Sequence, residues 1–297
     1  MPHCFGIVGH GVVGSLFSRI LSDHGARVLS YDRLLDHPEA ASSMQKKIEE
    51  DRSKACSLAE VLSGSEYILS VITPQSCCDL ADCASRLLHE DQVFADLTST
   101  SPPVKRMVAA SVTNGGAQFV EGVILGTVSS STSPVILLGG PAAERSACVF
   151  QQYGLAARFY SPEIGRAAAF KMLRSIFSKG IEAVLVETLV AARRAGLLNE
   201  IWEEIRTILF TRKLEDTFQI WIRSHARSAQ RRGYEMQEVG RFLEEIGIPP
   251  LLPRAFGQVF TRSFELGIAD AFPQEPESFR EVIEYLEQQQ SNGTKTC

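Results

Sequence analysis

The chain changes its hydrophobic rhythm once. Through roughly the first half, short apolar runs alternate with stretches of helical periodicity; after that the short runs stop. The first two runs are Cys4–Val8 and Arg27–Tyr31, with an amphipathic stretch over 15–21 between them. The charged stretch 38–51 predicts a solvated helix. Residues 67–72 read as a strand, 75–88 as a helix and 93–97 as a strand. Pro102-Pro103 opens the next helix, because proline suits a first turn. Residues 119–125, 135–138 and 158–160 supply the remaining strands. Such alternation predicts an α/β, doubly wound parallel sheet.

From Ile164 the pattern is helical. No proline occurs between Pro162 and Pro249, and Phe170, Leu173, Phe177, Val184 and Thr188 share one helical face. Residues 165–195 predict one helix of roughly 45 Å. Gly180 is its weak point and Gly196 its stop. The rest, to about Gln290, reads as helices with short loops at 247–250 and at Phe272-Pro273, then a frayed tail over 291–297. The expected organisation is therefore a sheet domain over 1–163 and an all-α domain over 164–297, joined by the long helix.

Gly9-His10-Gly11-Val12-Val13-Gly14 lies between the first strand and its helix, and Asp32 closes the second strand. The glycine pattern alone is common. Strand, helix and acid together make it a dinucleotide site of Rossmann type. Gly9 permits a tight turn, Gly11 lets a pyrophosphate approach the backbone, and Gly14 lets helix and strand pack closely. The unpaired N–H groups at the helix start attract phosphate. A turn that serves packing alone explains the glycines but not the acid. Asp32 favours NAD, since its carboxylate accepts from both ribose hydroxyls and repels a 2′-phosphate. Arg33 acts the other way, by stacking on adenine or neutralising a phosphate, so NADP stays open. Ligands of such sheets sit beyond the carboxyl ends of the strands. Ile72-Thr73-Pro74 and Thr98-Ser99 fall there.

Composition narrows this only a little. With 297 residues, 44% hydrophobic and 22% charged, the chain can bury a full core in two domains. A net charge of −5 gives no case for nucleic acid. Its apolar runs are too short to span a bilayer. The N-terminus enters the first strand almost at once, which leaves no room for a signal peptide. Seven cysteines without a CxxC predict buried reduced thiols rather than a metal site, and with them a cytoplasmic protein, although Cys77, Cys78 and Cys83 cluster on one helix.

Four segments together resemble the β-hydroxyacid dehydrogenases, which include 6-phosphogluconate and 3-hydroxyisobutyrate dehydrogenases. They are Gly9 to Gly14 with Asp32; Asp96-Leu97-Thr98-Ser99-Thr100-Ser101-Pro102, similar to D-x-S-T-x-x-P; Glu121-Gly122-Val123-Ile124-Leu125-Gly126-Thr127, at the place of D-A-P-V-S-G-G; and Gly165 to Ser175, at the place of G-x-G-x-x-x-K-x-x-x-N. Asp96-Leu97-Thr98-Ser99, Lys179-Gly180 and Arg231-Arg232-Gly233-Tyr234-Glu235-Met236 are similar to a branch whose helical C-terminal domain has no assigned function. The resemblance implies a homodimer formed through the helical domain, a small-molecule substrate, and Lys171 as the proton donor or acceptor at a substrate hydroxyl.

Lys171 also has a physical case. A lysine on an apolar helix face near a domain cleft is poised for acid–base work. Its bland alternative is a lysine that snorkels to water. Ser175 lies one turn on and faces the same way, with serine where the family has asparagine. Lys179, two turns on, is either a carboxylate ligand or a surface lysine. Thr98 and Ser99 either hold a substrate carboxylate or cap the helix at Pro102. In the third segment Gly122 and Val123 keep a substrate-facing place. Leu125 replaces the family's serine and Thr127 its second glycine, which points to a substrate with an apolar part. His225, Arg227, Arg231 and Arg232 form a basic cluster that either binds an anion or is a solvated face with pairs such as Arg231 to Glu235. The leading expectation is an NAD(P)-dependent oxidoreductase acting on a secondary alcohol or ketone. An imine reductase is one alternative, although the imine reductases that resemble this fold replace the lysine. A non-catalytic nucleotide sensor is the other.

Overall fold

The computed structural model describes residues 2–126 and 133–293. Thr127 of the third segment and the end of the tail lie outside them. The chain divides by internal packing into Met1–Phe177 and Ser178–Cys297.

The first unit is built on one eight-stranded sheet. Its strands are β1 (Cys4–Val8), β2 (Arg27–Tyr31), β3 (Lys54–Ala55), β4 (Tyr67–Ser70), β5 (Val93–Asp96), β6 (Gln118–Leu125), β7 (Val135–Gly139) and β8 (Ala157–Ser161). They lie in the order β3-β2-β1-β4-β5-β6-β7-β8. Helices α1 (Val12–Asp23), α2 (Ala41–Glu50), α3 (Leu58–Gly64), α4 (Cys77–Ala84), α5 (Pro102–Asn114) and α6 (Ala143–Gln152) accompany the sheet, and α7 (Arg166–Arg194) follows. The strand order reverses between β1 and β4, which is where doubly wound sheets open a ligand crevice.

The sheet is mostly parallel. β7 runs antiparallel to β6, and β8 runs with β7. Only residues 126–134 separate β6 from β7, too few for the crossover a parallel pair needs. The doubly wound parallel sheet that the sequence predicts is therefore present, with the β6–β7 pair as its antiparallel exception. β3 and α3 were also not predicted. A two-residue strand has too little pattern to read.

Both sheet faces are buried, and successive strand residues divide between them as the pleat requires. Phe5, Ile7 and Leu69 pack with Phe17 of α1 and Phe150 of α6. Cys4, Val8 and Ile68 pack with Val61 of α3, Ala81 of α4 and Val108 of α5 on the other face. Helix α2 is less solvated than its charge predicts. Met44 and Ile48, four apart on one stripe, are buried, and so is Asp51 just beyond them. Of the cysteines, Cys4, Cys56 and Cys77 are buried and Cys78 is half-buried, whereas Cys83 and Cys148 are exposed, so the buried-thiol expectation fails at those two.

Helix α7 runs through Gly180 without a break. In the second unit follow α8 (Leu198–Phe210), α9 (Leu214–Glu245), α10 (Leu251–Glu265), α11 (Ile268–Ala271) and α12 (Phe279–Gly293). Their fully buried cluster is small: Ala226, Ala229, Ile268 and Val282. In the basic cluster Arg231 pairs with Glu235. Arg232 donates to the Trp221 carbonyl at 3.3 Å and the Ser224 hydroxyl at 2.8 Å. His225 packs on Phe260, and burial lowers its pKa. No helix among the described residues is long and apolar enough to cross a membrane.

One ion pair fixes the floor of the sheet's carboxyl edge. Lys105 of α5 is fully buried, and its Nζ donates to Asp96 Oδ2 at 2.8 Å and to the Asp96 carbonyl at 2.7 Å. This joins α5 to the end of β5. Removing one partner of such a pair strands the other charge without water. Lys105→Ala is expected to cost about 3–5 kcal/mol of unfolding free energy in a denaturant titration. A loss under about 1 kcal/mol, the range of an exposed pair, contradicts that role.

Candidate functional site: a nucleotide crevice and the start of α7

The glycine turn is built as its sequence requires. Gly9 has φ +96°, and a Cβ there would come within 2.9 Å of the Val71 carbonyl. A Cβ on Gly14 would overlap the Gly9 carbonyl oxygen, so α1 approaches β1 only with glycine there. Gly11 is the N-cap of α1 and no side chain caps it. The open N–H groups and the positive end of the helix therefore face whatever lies over the turn. The space beside a Gly11 Cβ is clear.

A cavity of about 660 Å³ opens at this point. Gly9, Gly11, Asp32, Arg33, Ile72 and Thr73 line it, as predicted cofactor residues, with Leu58 and Leu80 as apolar wall and Tyr31, Asp79 and Cys83 beside them. His10, Val12, Val13, Gly14, Pro74 and Thr98 are not among its lining residues. His10 is wholly buried and Val12 exposed. A groove of about 640 Å³ along α9 and α10 is similar in size but is lined by residues of the helical unit, such as Met236, Glu244 and Arg254, and holds no glycine turn of this kind. The crevice fits a dinucleotide: an uncapped helix start, a glycine cradle, an acid at the end of β2 and apolar walls for a base.

Asp32 is held by two backbone donors. Its Oδ2 accepts from the His10 N–H at 2.7 Å and its Oδ1 from the Leu34 N–H at 3.0 Å. Each carboxylate oxygen keeps a further acceptor site for a ribose hydroxyl. Arg33 is exposed at the start of a short 3₁₀ turn. Burial, and then the hydrogen bond it donates to Asp36, push the Tyr31 hydroxyl pKa up.

The loop after β5 follows from the Asp96–Lys105 pair. Asp96 Oδ1 also accepts the Thr98 N–H at 3.0 Å. Thr98 is buried and its Oγ1 has no partner among the described residues, whereas Ser99 is exposed. Neither caps α5, whose N-cap is Ser101 without a side-chain bond. The capping alternative is therefore removed, and an orphaned hydroxyl is left at the strand end. Gly122 and Val123 are buried; Val123 packs with Ala167 and Ala168 of α7, and Leu125 packs against that cluster.

The start of α7 is anchored by a residue that the sequence reading named only within a motif. Glu121, fully buried on β6, accepts the Ala167 N–H at 2.9 Å through Oε1, and the Gly165 and Ala168 N–H groups also favour its charged form. Burial outweighs them and raises its pKa. Lys171 lies one turn beyond Ala167 and is half-buried. The Ser175 hydroxyl donates to the Lys171 carbonyl at 2.8 Å, so its proton is committed to the helix backbone. Lys179 is exposed and belongs to the second unit.

Sequence reasoning missed Asp51, which binds the ring of His10 (Nε2 to Oδ2, 2.9 Å) together with Ser15 and Arg19. The only available signal was a buried-type spacing, Met44, Ile48 and Asp51, inside a stretch dominated by charge. It also missed the pairing of Lys105 with Asp96, since a lysine in a helix next to a strand end carries no mark of burial.

Residues 4–160 match the family model described as the NAD binding domain of 6-phosphogluconate dehydrogenase. Residues 192–263 match the family described as a domain of unknown function, DUF1932. Among solved structures, the chain is similar to a conserved protein of unknown function with structural similarity to 3-hydroxyacid dehydrogenases. The identity is 27% and the TM-score 0.58, over 92% of this chain and 99% of that one. It is also similar to an imine reductase from Myxococcus stipitatus. A V8 variant of that enzyme in complex with NAD+ matches at 17% identity and TM-score 0.74, over 96% of this chain and all (100%) of that one. The complex with NADP+ matches at 17% and 0.73, over 95% and 99%.

Proposed function

Since the chain belongs to the family of the NAD binding domain of 6-phosphogluconate dehydrogenase, we propose that it is an NAD(P)-dependent oxidoreductase for the secondary alcohol or ketone of a β-hydroxyacid-like substrate, with Lys171 as general acid and base. The observation that carries the reading is the place of Lys171. It is half-buried in the first turns of a helix that Glu121 ties to the sheet, within the same compact unit as the glycine turn.

The bound nicotinamide supplies the hydride acceptor or donor. The chain does the rest. The turn from Gly9 to Gly14 holds the pyrophosphate through backbone N–H groups, and Asp32 holds the ribose. Asp32 favours NAD, because a fixed carboxylate repels a 2′-phosphate. Exposed Arg33 leaves NADP a weaker claim. Thr98 and Ser99 offer hydroxyls to a substrate acid group. Lys171 takes the hydroxyl proton during oxidation and returns it during reduction. Leu125 leaves an apolar surface where the resembling family has serine, in keeping with a substrate that has an apolar part. Reduction of a C=N bond is the second reading, favoured by the likeness to imine reductases; the retained lysine favours the first.

A panel of hydroxyacids, ketones and imines, followed by nicotinamide absorbance, tests both. Lys171→Ala is expected to lower turnover by about 10²–10⁴-fold while NAD affinity stays within about twofold. Full activity in that variant, or turnover of imines alone, contradicts the proposal.

A second copy of the chain is proposed to cover α7. Its apolar face is exposed to solvent: Leu173 is 67% exposed and Ile176 72%. Contiguous apolar surface on this scale marks an interaction face. Light scattering is expected to give the mass of two chains. A single-chain mass at micromolar concentration contradicts this.

A further inference from the structure

Residue 10 occupies a variable place in the glycine turn, yet here it joins three elements. Its N–H donates to Asp32 Oδ2 at 2.7 Å, beyond β2. Its carbonyl accepts from Lys47 Nζ of α2 at 3.0 Å. Its imidazole Nε2 lies 2.9 Å from Asp51 Oδ2. Asp51 in turn is held by α1: Ser15 donates to Oδ2, and Arg19 donates to Oδ1 at 2.7 Å. Arg19 also donates to the Ser15 hydroxyl at 3.1 Å. The ring of His10 has no exposed surface.

We infer that His10 and Asp51 are positioning residues for the dinucleotide: Asp51 locks the His10 ring, and the locked residue aims Asp32 and the turn at the ribose and pyrophosphate. This goes beyond the proposed reaction and rests only on nucleotide binding by the turn. The relay needs a particular protonation state. Nε2 must carry a proton to donate to a carboxylate, and Nδ1 is buried with no partner among the described residues. The neutral Nε2–H tautomer makes the bond to Asp51 and leaves Nδ1 as an acceptor without a partner among the described residues. A second proton, on Nδ1, would be a buried N–H with nothing to receive it.

The charges around the ring agree. Burial is the largest influence and lowers its pKa, with Lys47 acting the same way, while Asp51 and Asp32 pull against them. Burial raises the Asp51 carboxyl, but hydrogen bonds from Ser15, His10 and Arg19 more than offset it, so the net shift is downward. A histidine whose folded pKa lies below its unfolded value adds full stability above that unfolded value, about 6.5. The stability is lost as pH falls from there towards the folded pKa. Protonation of the ring would break its arrangement with Asp51, so affinity for the nucleotide is expected to weaken as the pH falls through the folded pKa.

Calorimetric titration with NAD+ and with NADP+, from about pH 8 to about pH 5.5, tests the relay on the full chain. His10→Ala and Asp51→Asn are expected to weaken NAD+ binding by roughly tenfold, the scale of one charge-assisted hydrogen bond, and to weaken NADP+ binding less. The ratio of the two affinities then narrows. His10→Gln places an amide nitrogen where Nε2 stood. It is expected to restore NAD+ binding towards the wild-type level and to flatten the acid decline. Melting temperatures accompany each titration. If His10→Ala does not fold, the comparison of His10→Gln with wild type across pH carries the test. NAD+ affinity within about twofold of wild type in folded His10→Ala or Asp51→Asn overturns the relay, as does an acid decline in His10→Gln equal to that of wild type. Wild-type protein that binds neither nucleotide overturns nucleotide binding itself, a result distinct from failure of the relay.

Discussion

The near-contact of α1 with β1 is the constraint on which the nucleotide crevice depends. With a Cβ on Gly14 the helix would have to retreat from the Gly9 carbonyl. A retreated helix would no longer point its uncapped N–H groups across the end of the sheet. The same approach brings Ser15 and Arg19 to Asp51, and so fixes the ring of His10 and the carboxylate of Asp32. Backbone geometry, a buried polar network and the ribose-reading acid are thus one construction. That network is high-stakes, because a buried polar group left unpaired costs more than a paired one contributes.

A second anchor serves the start of α7. Glu121 on β6 receives N–H groups from the helix's opening turn, and the Asp96–Lys105 pair steadies the neighbouring strand end. These buried charges lie at the carboxyl edge of the sheet, where doubly wound folds place ligands. Hydrophobic residues of similar volume often serve stability as well as a buried ion pair does. A carboxylate at a helix start does something an apolar group cannot: it satisfies several orphan donors at once and offsets the positive end of the helix.

The parts of this arrangement that were legible in the sequence are those with a period or a fixed spacing. The β1–turn–α1–β2 unit shows itself through glycines and an acid at set distances. Helix α7 shows itself through a long proline-free run. Reversal of β7 was readable only by counting the short connection from β6, and the two residues of β3 gave no pattern. The buried partners Asp51, Lys105 and Glu121 could not be read, because charge in a sequence reports solvation by default and only tertiary packing reverses that. The departures at positions 125 and 175 were visible, but their effect was not. At Ser175 the structure supplies it: a hydroxyl too short to reach far bonds to the carbonyl of Lys171 instead.

Amide hydrogen exchange on the full chain, with and without saturating NAD+, tests the nucleotide crevice most directly. The account predicts new protection at the amides of residues 9–14 and 32–34, with the strongest change at the first turn of α1. Protection confined to the helical unit, with the glycine turn unchanged, would contradict it.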